Sequence, residues 1–313
     1  MDSMNKDLKD LSLLDLIKVF WGQKFVIIFI TSLFAILSIV ISLSIPNKYT
    51  SSSILIAIES SESSSTSNLI SRYGGIASLA GVQIPSSGGE DRGELALQII
   101  KSKGFLNHLF RIDPTLVQKI FAAKKYDPKS KEIIYDDNIF DSTRGAWVRK
   151  VKGGKAKRPS YVEVFKEYSE IMNISKDKRT GFITLNITHI SPEFSRYLSQ
   201  LIINEANNIV RERDLENANK ALEYLNKELE STQQSSIKDS MNEIIKSQLE
   251  KKMLAFVRND YLLETIDQPF LPEKKSSPGR SLIVIFSTTL GFFISLLSSI
   301  FLHYRRTLKS SLT

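Results

Sequence analysis

The stretch FVIIFITSLFAILSIVISLSI, residues 25–45, decides how this chain is organised. It carries no charge and is long enough, at about 20 residues, to cross a hydrocarbon layer of about 30 Å as a helix. A second uncharged apolar run, Ser281–Leu302, lies near the other end of the sequence. Everything between Pro46 and Arg280 is polar enough to be soluble. Two spans return the chain to its starting side and leave that middle part on the other. The expected division is therefore 1–24 N-terminal segment, 25–45 first span, 46–280 soluble domain on the opposite side, 281–302 second span and 303–313 C-terminal tail. Residues 25–45 do not read as a cleaved signal: the run is too long, 24 residues precede it, and Pro46-Asn47-Lys48 is no small-residue cleavage site.

Flanking charge sets the orientation. Lys6, Lys9, Lys18 and Lys24 precede the first span, and Arg305, Arg306 and Lys309 follow the second. Lys48, Lys274, Lys275 and Arg280 lie on the opposite side. The excess of basic residues on the two tails places both termini in the cytoplasm. The net charge of +8 is spread along the chain and accompanied by no nucleic-acid motif, so nucleic acid is not an expected partner. Cysteine is absent, which removes disulfides, thiolate catalysis and most zinc sites.

Residues 8–21 put Leu8, Leu11, Leu14, Ile17 and Trp21 at helical spacing, either as an amphipathic helix at the headgroups or as a continuation of the span. Thr50–Ser60 alternates Ile54, Ile56 and Ile58 with Leu55 and Ala57 and reads as a strand. Ser60–Asn68 reads as a loop, followed by a glycine-bearing stretch over Tyr73–Ser87. Glu94–Phe110 reads as helical with a break near Gly104, residues 111–160 as irregular, and Tyr161–Ile171 as a helix. Gly181–His189 is a second strand, with Ile183, Leu185 and Ile187 on one face.

Ser191-Pro192-Glu193 is a helix start: an N-capping hydroxyl, a proline in the first turn and an acid at the positive end of the dipole. Phe194, Leu198, Leu201, Ile202, Ala206 and Ile209 form one apolar stripe, resumed by Ala218, Leu222, Leu225 and Leu229. No Gly or Pro interrupts Glu193–Glu230, so the helix is nearly 60 Å long at about 1.5 Å per residue. Arg211-Glu212-Arg213-Asp214 between the two stripes reads as polar all round and solvated. Ser231–Ser236 is a break, and Met241, Ile245, Leu249, Met253 and Phe256 make a second helical stripe. Leu262–Ile266 reads as a returning strand. The fold class is a membrane-proximal α+β base, with a long helical protrusion over about 191–260, plus two transmembrane helices at the chain ends.

The candidate functional residues are few. Ser287, Gly291, Ser295 and Ser299 recur every fourth residue in the second span, as Thr31, Ala35, Ser38 and Ser42 nearly do in the first. Small residues so spaced let membrane helices approach closely, either each other or a neighbouring subunit. Pro269, Pro272 and Pro278 preclude a regular helix before the second span, giving either a rigid coupling or a solvated linker. Arg149, Lys150, Lys152, Lys155, Lys157 and Arg158, around Gly153-Gly154, make a basic cluster: a solvated loop or a contact for an acidic polymer. His108, His189 and His303 are solitary. There is no phosphate loop and no nucleophile elbow, so no catalytic, cofactor-binding or metal-binding residue is assigned.

Taken in order, these pieces resemble the Wzz-type polysaccharide co-polymerases, the chain-length determinants of lipopolysaccharide O-antigen. The pieces are Asp15–Lys24 before the first span, the strand after Tyr49, Ala96–Lys103 ahead of Phe105-Leu106, and the strand-to-helix junction Thr184–Pro192. The proline-rich segment Pro269–Pro278 and the glycine-bearing span complete them. The family pattern often has more prolines and a second glycine in the last span; here Ser295 stands four residues after Gly291, and that departure leaves the subclass open. The resemblance implies an inner-membrane protein whose α+β base and protrusion, 46–280, are periplasmic, with 1–24 and 303–313 cytoplasmic, assembled as a ring of identical subunits, an octamer by family. It implies a non-catalytic role in setting the modal length of a glycan made by a separate Wzy-type polymerase, with that polymerase and the growing lipid-linked glycan as partners. A capsule or exopolysaccharide length regulator or export component is the competing reading, with a two-span periplasmic sensor behind it. The short tail leaves no room for a kinase or output domain.

Overall fold

The computed structural model describes residues 20–58, 91–151, 153–154 and 156–310. The expectations for the amphipathic stretch before residue 20, for 60–68 and 73–87, and for Lys152 and Lys155 lie outside these residues. The chain divides into two compact units, 1–47 with 275–313, and 48–274.

The first unit is a pair of apolar helices, α1 (Lys24–Ser44) and a helix over Arg280–Ser310. Residues Lys24–Ser44 and Arg280–Leu302 are long and apolar enough to cross a membrane, with mean hydropathies of 2.8 and 2.1. Their outward faces are exposed apolar side chains such as Phe25, Ile28, Phe29, Phe286, Phe293 and Leu297.

The second unit is built on a four-stranded antiparallel sheet. Its strands are β1 (Tyr49–Ala57), β6 (Met172–Lys176), β7 (Ile183–His189) and β8 (Leu263–Asp267), in the order β6-β7-β1-β8. In β7, Ile183, Leu185 and Ile187 are fully buried, the alternation expected of a strand covered on one face. In β1 the core face is Ser51, Ser53 and Leu55, each fully buried, whereas Ile54 stays 37% exposed. Small serines suit that position because the long helix lies against it: Ser53 and Ser199 bring their hydroxyls to 3.5 Å, and Ser195 and Ser199 are fully buried. β6 escaped the sequence reading. It follows directly on a helix and is tied to β7 by a tight turn, where Asp177 accepts from the amides of Arg179 and Thr180 and Gly181 takes φ +77°.

Three short helices line the core, α2 (Arg92–Ile100), α3 (Lys103–Ile112) and α4 (Leu116–Phe121), of which α2 lies against the sheet. The break between the first two falls at Lys101-Ser102, where the Ser102 hydroxyl caps α3 by accepting from the Phe105 amide at 3.0 Å. Residues 111–160, expected to be irregular, instead hold α4 and two hairpins, β2 (Ala123–Asp127) with β3 (Glu132–Tyr135) and β4 (Phe140–Asp141) with β5 (Ala146–Trp147). Periodicity is weak in strands of two to five residues. Their turns are made by Asp127 and Asp141 accepting backbone amides two residues on, at 2.9 and 3.0 Å. Edge-to-face aromatic contacts, Tyr135 on Phe140 and Phe140 on Trp147, then hold them together. Helix α5 (Tyr161–Ile171) starts with a full capping box, Ser160 with Glu163.

Helix α6 (Pro192–Ser231) runs for 40 residues, about 60 Å at 1.5 Å per residue. The Ser191 hydroxyl accepts from the Phe194 amide at 3.2 Å, as the Ser-Pro-Glu start anticipates. The first half of α6 packs on the sheet through Phe194, Leu198, Ile202, Ala206 and Val210. Its second half pairs with α7 (Ser235–Val257), reached through a three-residue break at 232–234. The mixed α and β class with a long helix therefore holds. The expected stripe of Met241, Ile245, Leu249, Met253 and Phe256 lies on α7, but it is not a buried face: Leu249, Met253 and Phe256 are 51–71% exposed, and Ala255 is the buried residue of the helix. The Arg211–Asp214 stretch is also not solvated all round. Asp214 is buried, accepting from the Tyr261 hydroxyl at 3.0 Å, with Arg92 3.9 Å away. Arg211 donates to the carbonyls of Arg258 and Asn259. Because the chain returns from α7 to β8 at this level, polar side chains are needed to satisfy its backbone.

Candidate functional site

In the first unit, the helix Arg280–Ser310, now α8, lies antiparallel to α1. Near one end, Arg280 donates to the Asn47 side-chain carbonyl at 3.1 Å; further along, Gly291 faces Phe34. The seam is lined by the small residues. Ser38, Ser42, Gly291, Ser295 and Ser299 are buried, and Thr31, Ala35 and Ser287 are half-buried. A Cβ built on Gly291 would stand 2.5 Å from the Phe34 Cβ and 2.7 Å from its Cγ, closer than real carbon atoms pack. Glycine is required because the Phe34 Cβ, which the α1 backbone holds in place, stands too near for any side chain.

Three of the hydroxyls in this seam, those of Thr31, Ser38 and Ser295, turn back on their own helices. Ser38 donates to the Ala35 carbonyl at 2.8 Å, and Ser295 to that of Phe292 at 2.7 Å. Backbone capture of this kind removes the penalty of an unpaired hydroxyl in an apolar medium. Ser42 and Ser299 present hydroxyl oxygens with no partner among the described residues. Phe34 itself carried no sequence signal, since one phenylalanine in an apolar run looks like any other.

The proline segment is extended, with no regular helix between β8 and α8. Pro269 and Pro272 are buried in the second unit, while Phe270 and Leu271 between them point outward, 50% and 44% exposed. The Phe270 carbonyl accepts from the Ser51 hydroxyl at 2.8 Å, fixing this run to β1. Pro278 follows a cis peptide bond at the head of α8.

The basic cluster divides by burial. Arg149 is committed inward: it donates to Glu163 at 2.9 Å, to the carbonyls of Ala156 and Lys157, and lies over the Phe121 ring. Lys150, Lys157 and Arg158 are exposed. Arg149 thus shapes the loop, and the remaining described cations sit on its surface.

One further polar centre closes the second unit. Asn207 is buried; its side-chain carbonyl accepts from the amides of Tyr261, Leu262 and Leu263 at 3.3, 2.7 and 2.8 Å, and its amide donates to the Leu263 carbonyl at 3.0 Å. The Tyr261 hydroxyl is pushed up to about 12 by burial and by the neighbouring Asp214 carboxylate. His189 is pulled down to about 4 by burial, its Nδ1 accepting from the Ser191 amide and its Nε2 donating to the Lys119 carbonyl. Among the described residues no group of acids and histidines could hold a metal ion. These arrangements position backbone and helices rather than a reacting atom.

Residues 9–111 match the family Wzz, chain length determinant protein. The resemblance to the Wzz-type co-polymerases is borne out on this stretch, which includes the first span, β1 and α2. Wzz proteins are non-catalytic chain-length regulators and oligomeric co-polymerases. The two membrane-capable helices fit a two-pass inner-membrane protein of this kind. No curated protein sequence matches the chain. Among solved structures, a full-length bacterial polysaccharide co-polymerase aligns over 95% of this chain and 99% of its own length, at 13% identity and a TM-score of 0.41. A fragment of WzzB, the polysaccharide co-polymerase from Salmonella Typhimurium, aligns over 74% of this chain and 100% of its own, at 13% identity and a TM-score of 0.29.

Proposed function

We propose that this chain sets the modal length of lipopolysaccharide O-antigen made by a Wzy-type polymerase. It does so without catalysing bond formation. The observation that carries the reading is the match of residues 9–111 to the Wzz family. The close-packed pair of spans supports it: a tightly joined helix pair with apolar outer faces can present a fixed surface to a membrane partner. In this reading both termini are cytoplasmic, residues 46–280 are periplasmic, and identical subunits assemble as a ring, an octamer by family. The growing lipid-linked glycan is the object whose length is set. The small-residue seam and Pro269, Pro272 and Pro278 couple the spans to the polymerase.

Deletion of the gene tests this directly. The surface polysaccharide ladder should change from a modal distribution to one falling off smoothly with length, and the intact gene should restore it. An unchanged O-antigen ladder would refute the reading, and a change confined to a capsular polymer would reassign the glycan.

A further inference from the structure

An open groove of about 760 Å³ lies in the second unit, between the β2–β3 hairpin and the first turns of α6. Its volume is within the range of about 300–1,000 Å³ typical of small-ligand sites. Two features mark it as more than a crevice between elements. The first is Tyr197, whose ring is 43% exposed yet held in place. Its hydroxyl donates to Asp113 at 3.0 Å, and the Lys119 ammonium lies 5.5 Å from its ring centroid. Asp113 is itself fixed by the Thr115 amide and hydroxyl at 2.9 and 2.6 Å. The second is Glu193, whose carboxylate accepts from the Tyr126 hydroxyl at 2.8 Å and the Ser191 hydroxyl at 3.2 Å. An aromatic face and a carboxylate are thus both pre-positioned in one groove.

The charge on the lining narrows the ligand. Asp127, Glu132, Asp137 and Glu193 outnumber Lys119 and Lys131. A phosphate or an acidic polymer is disfavoured by that balance. A purely apolar ligand is disfavoured too: Ile134 offers an exposed apolar side chain, but Phe194 is buried and charged residues make up much of the lining. A neutral sugar fits both features. The C–H face of a pyranose stacks on the face of the Tyr197 ring turned away from Lys119, and its hydroxyls donate to carboxylates as charge-assisted hydrogen bonds.

We infer that the groove beside Tyr197 and Glu193 is a binding subsite for a neutral stretch of saccharide. Its source as the growing glycan rests on the chain-length reading above. Partly and fully exposed carboxylates and an open mouth suit brief, repeated capture of a moving polymer rather than tight retention.

The test uses the full chain purified in detergent and, as probe, the surface polysaccharide of the same cells freed from lipid by mild acid, followed by saturation-transfer NMR and calorimetric titration. Tyr197→Ala removes the aromatic face, and Ser142→Trp fills the groove from its exposed rim without touching the core. Each variant's melting curve is compared with the parent's, so that a folding defect in one leaves the other to decide. Loss of about tenfold or more in affinity in a folded variant supports the subsite, this being what about 1.4 kcal/mol of lost contact produces. Parental affinity in both variants, or no binding of the polysaccharide by the parent, overturns it. Retained polysaccharide binding with loss of polymerase co-purification overturns it as well and makes the groove a protein contact. The deletion ladder decides the chain-length reading separately, since it requires no particular binding site.

Discussion

Gly291 and Phe34 meet so closely that a methyl group on the glycine would overlap the phenylalanine Cβ, at 2.5 Å. The clash is with an atom every residue but glycine possesses, so trimming the phenylalanine ring cannot relieve it. Gly291→Ala is therefore expected to separate α1 from α8 and to cost about 1–3 kcal/mol, the range for overpacking a close contact. Adding Phe34→Ala should not restore stability, whereas adding Phe34→Gly should restore part of it. Thermal unfolding of the four proteins in detergent checks this ordering. Full rescue by Phe34→Ala would show that the ring, not the backbone approach, sets the seam.

Asn207 satisfies four backbone groups at the return from α7 to β8. Asn207→Ala leaves three amide donors and one carbonyl buried without it. A loss of about 3 kcal/mol or more is expected, each orphaned group costing about 1–3 kcal/mol before relaxation. Asn207→Asp keeps the acceptor for the three amides but turns the donor to the Leu263 carbonyl into an opposing acceptor oxygen. It should be the milder variant in urea unfolding followed by circular dichroism.

Within the basic cluster, Arg149 and its neighbours should separate. Arg149→Ala breaks the contacts to Glu163, Ala156 and Lys157 and uncovers the Phe121 ring. About 1–2 kcal/mol of stability should go, allowing for a partly exposed pair, along with faster proteolysis between Lys150 and Arg158. Lys157→Ala and Arg158→Ala should stay within about 0.5 kcal/mol of the parent. If these two also lower binding of an acidic polymer while Arg149→Lys does not, the surface cations are the contact.

His189 gives the second unit a defined response to acid. Burial holds the ring neutral down to about 4, against 6.5 when unfolded. Between those values the unfolded chain binds a proton that the folded one excludes. The contribution is thus complete above about pH 6.5 and is lost as pH falls toward 4, roughly 3 kcal/mol in all. In His189→Gln, urea midpoints at pH 4.5 and pH 7 should lie closer together than in the parent. An unaltered gap would place the acid response elsewhere.

Several elements were legible because their signals are local. Uncharged runs of about 20 residues announce membrane helices, since desolvation of charge in hydrocarbon is prohibitive. Ser191-Pro192-Glu193 announces a helix start because its cap involves neighbours in sequence. The alternation of Ile183, Leu185 and Ile187 marks a strand covered on one face, and each of the three is buried. Where the signal was absent, the structure is short or long-range. The β2–β3 and β4–β5 hairpins are too brief for periodicity, and β6 is defined by pairing with β7. The core face of β1 is set by serines, which hydropathy assigns to the surface.

The candidate site divides in the same way. Sequence alone determined that two apolar helices exist, that each carries small residues at nearly every fourth position, and that a proline-rich segment enters the second. A four-residue repeat states which face of a helix is narrow; it cannot state what fills the space beside it. Tertiary structure decided that α1 and α8 fill it for each other, with Phe34 the residue against Gly291. It likewise decided that Asp214, reading as a solvated acid, is buried under Tyr261 and Arg92, and that Tyr197 and Glu193 share a groove with a hairpin some sixty residues earlier in the chain. Steric contact and desolvation depend on which distant atoms arrive, and only the folded chain brings them together.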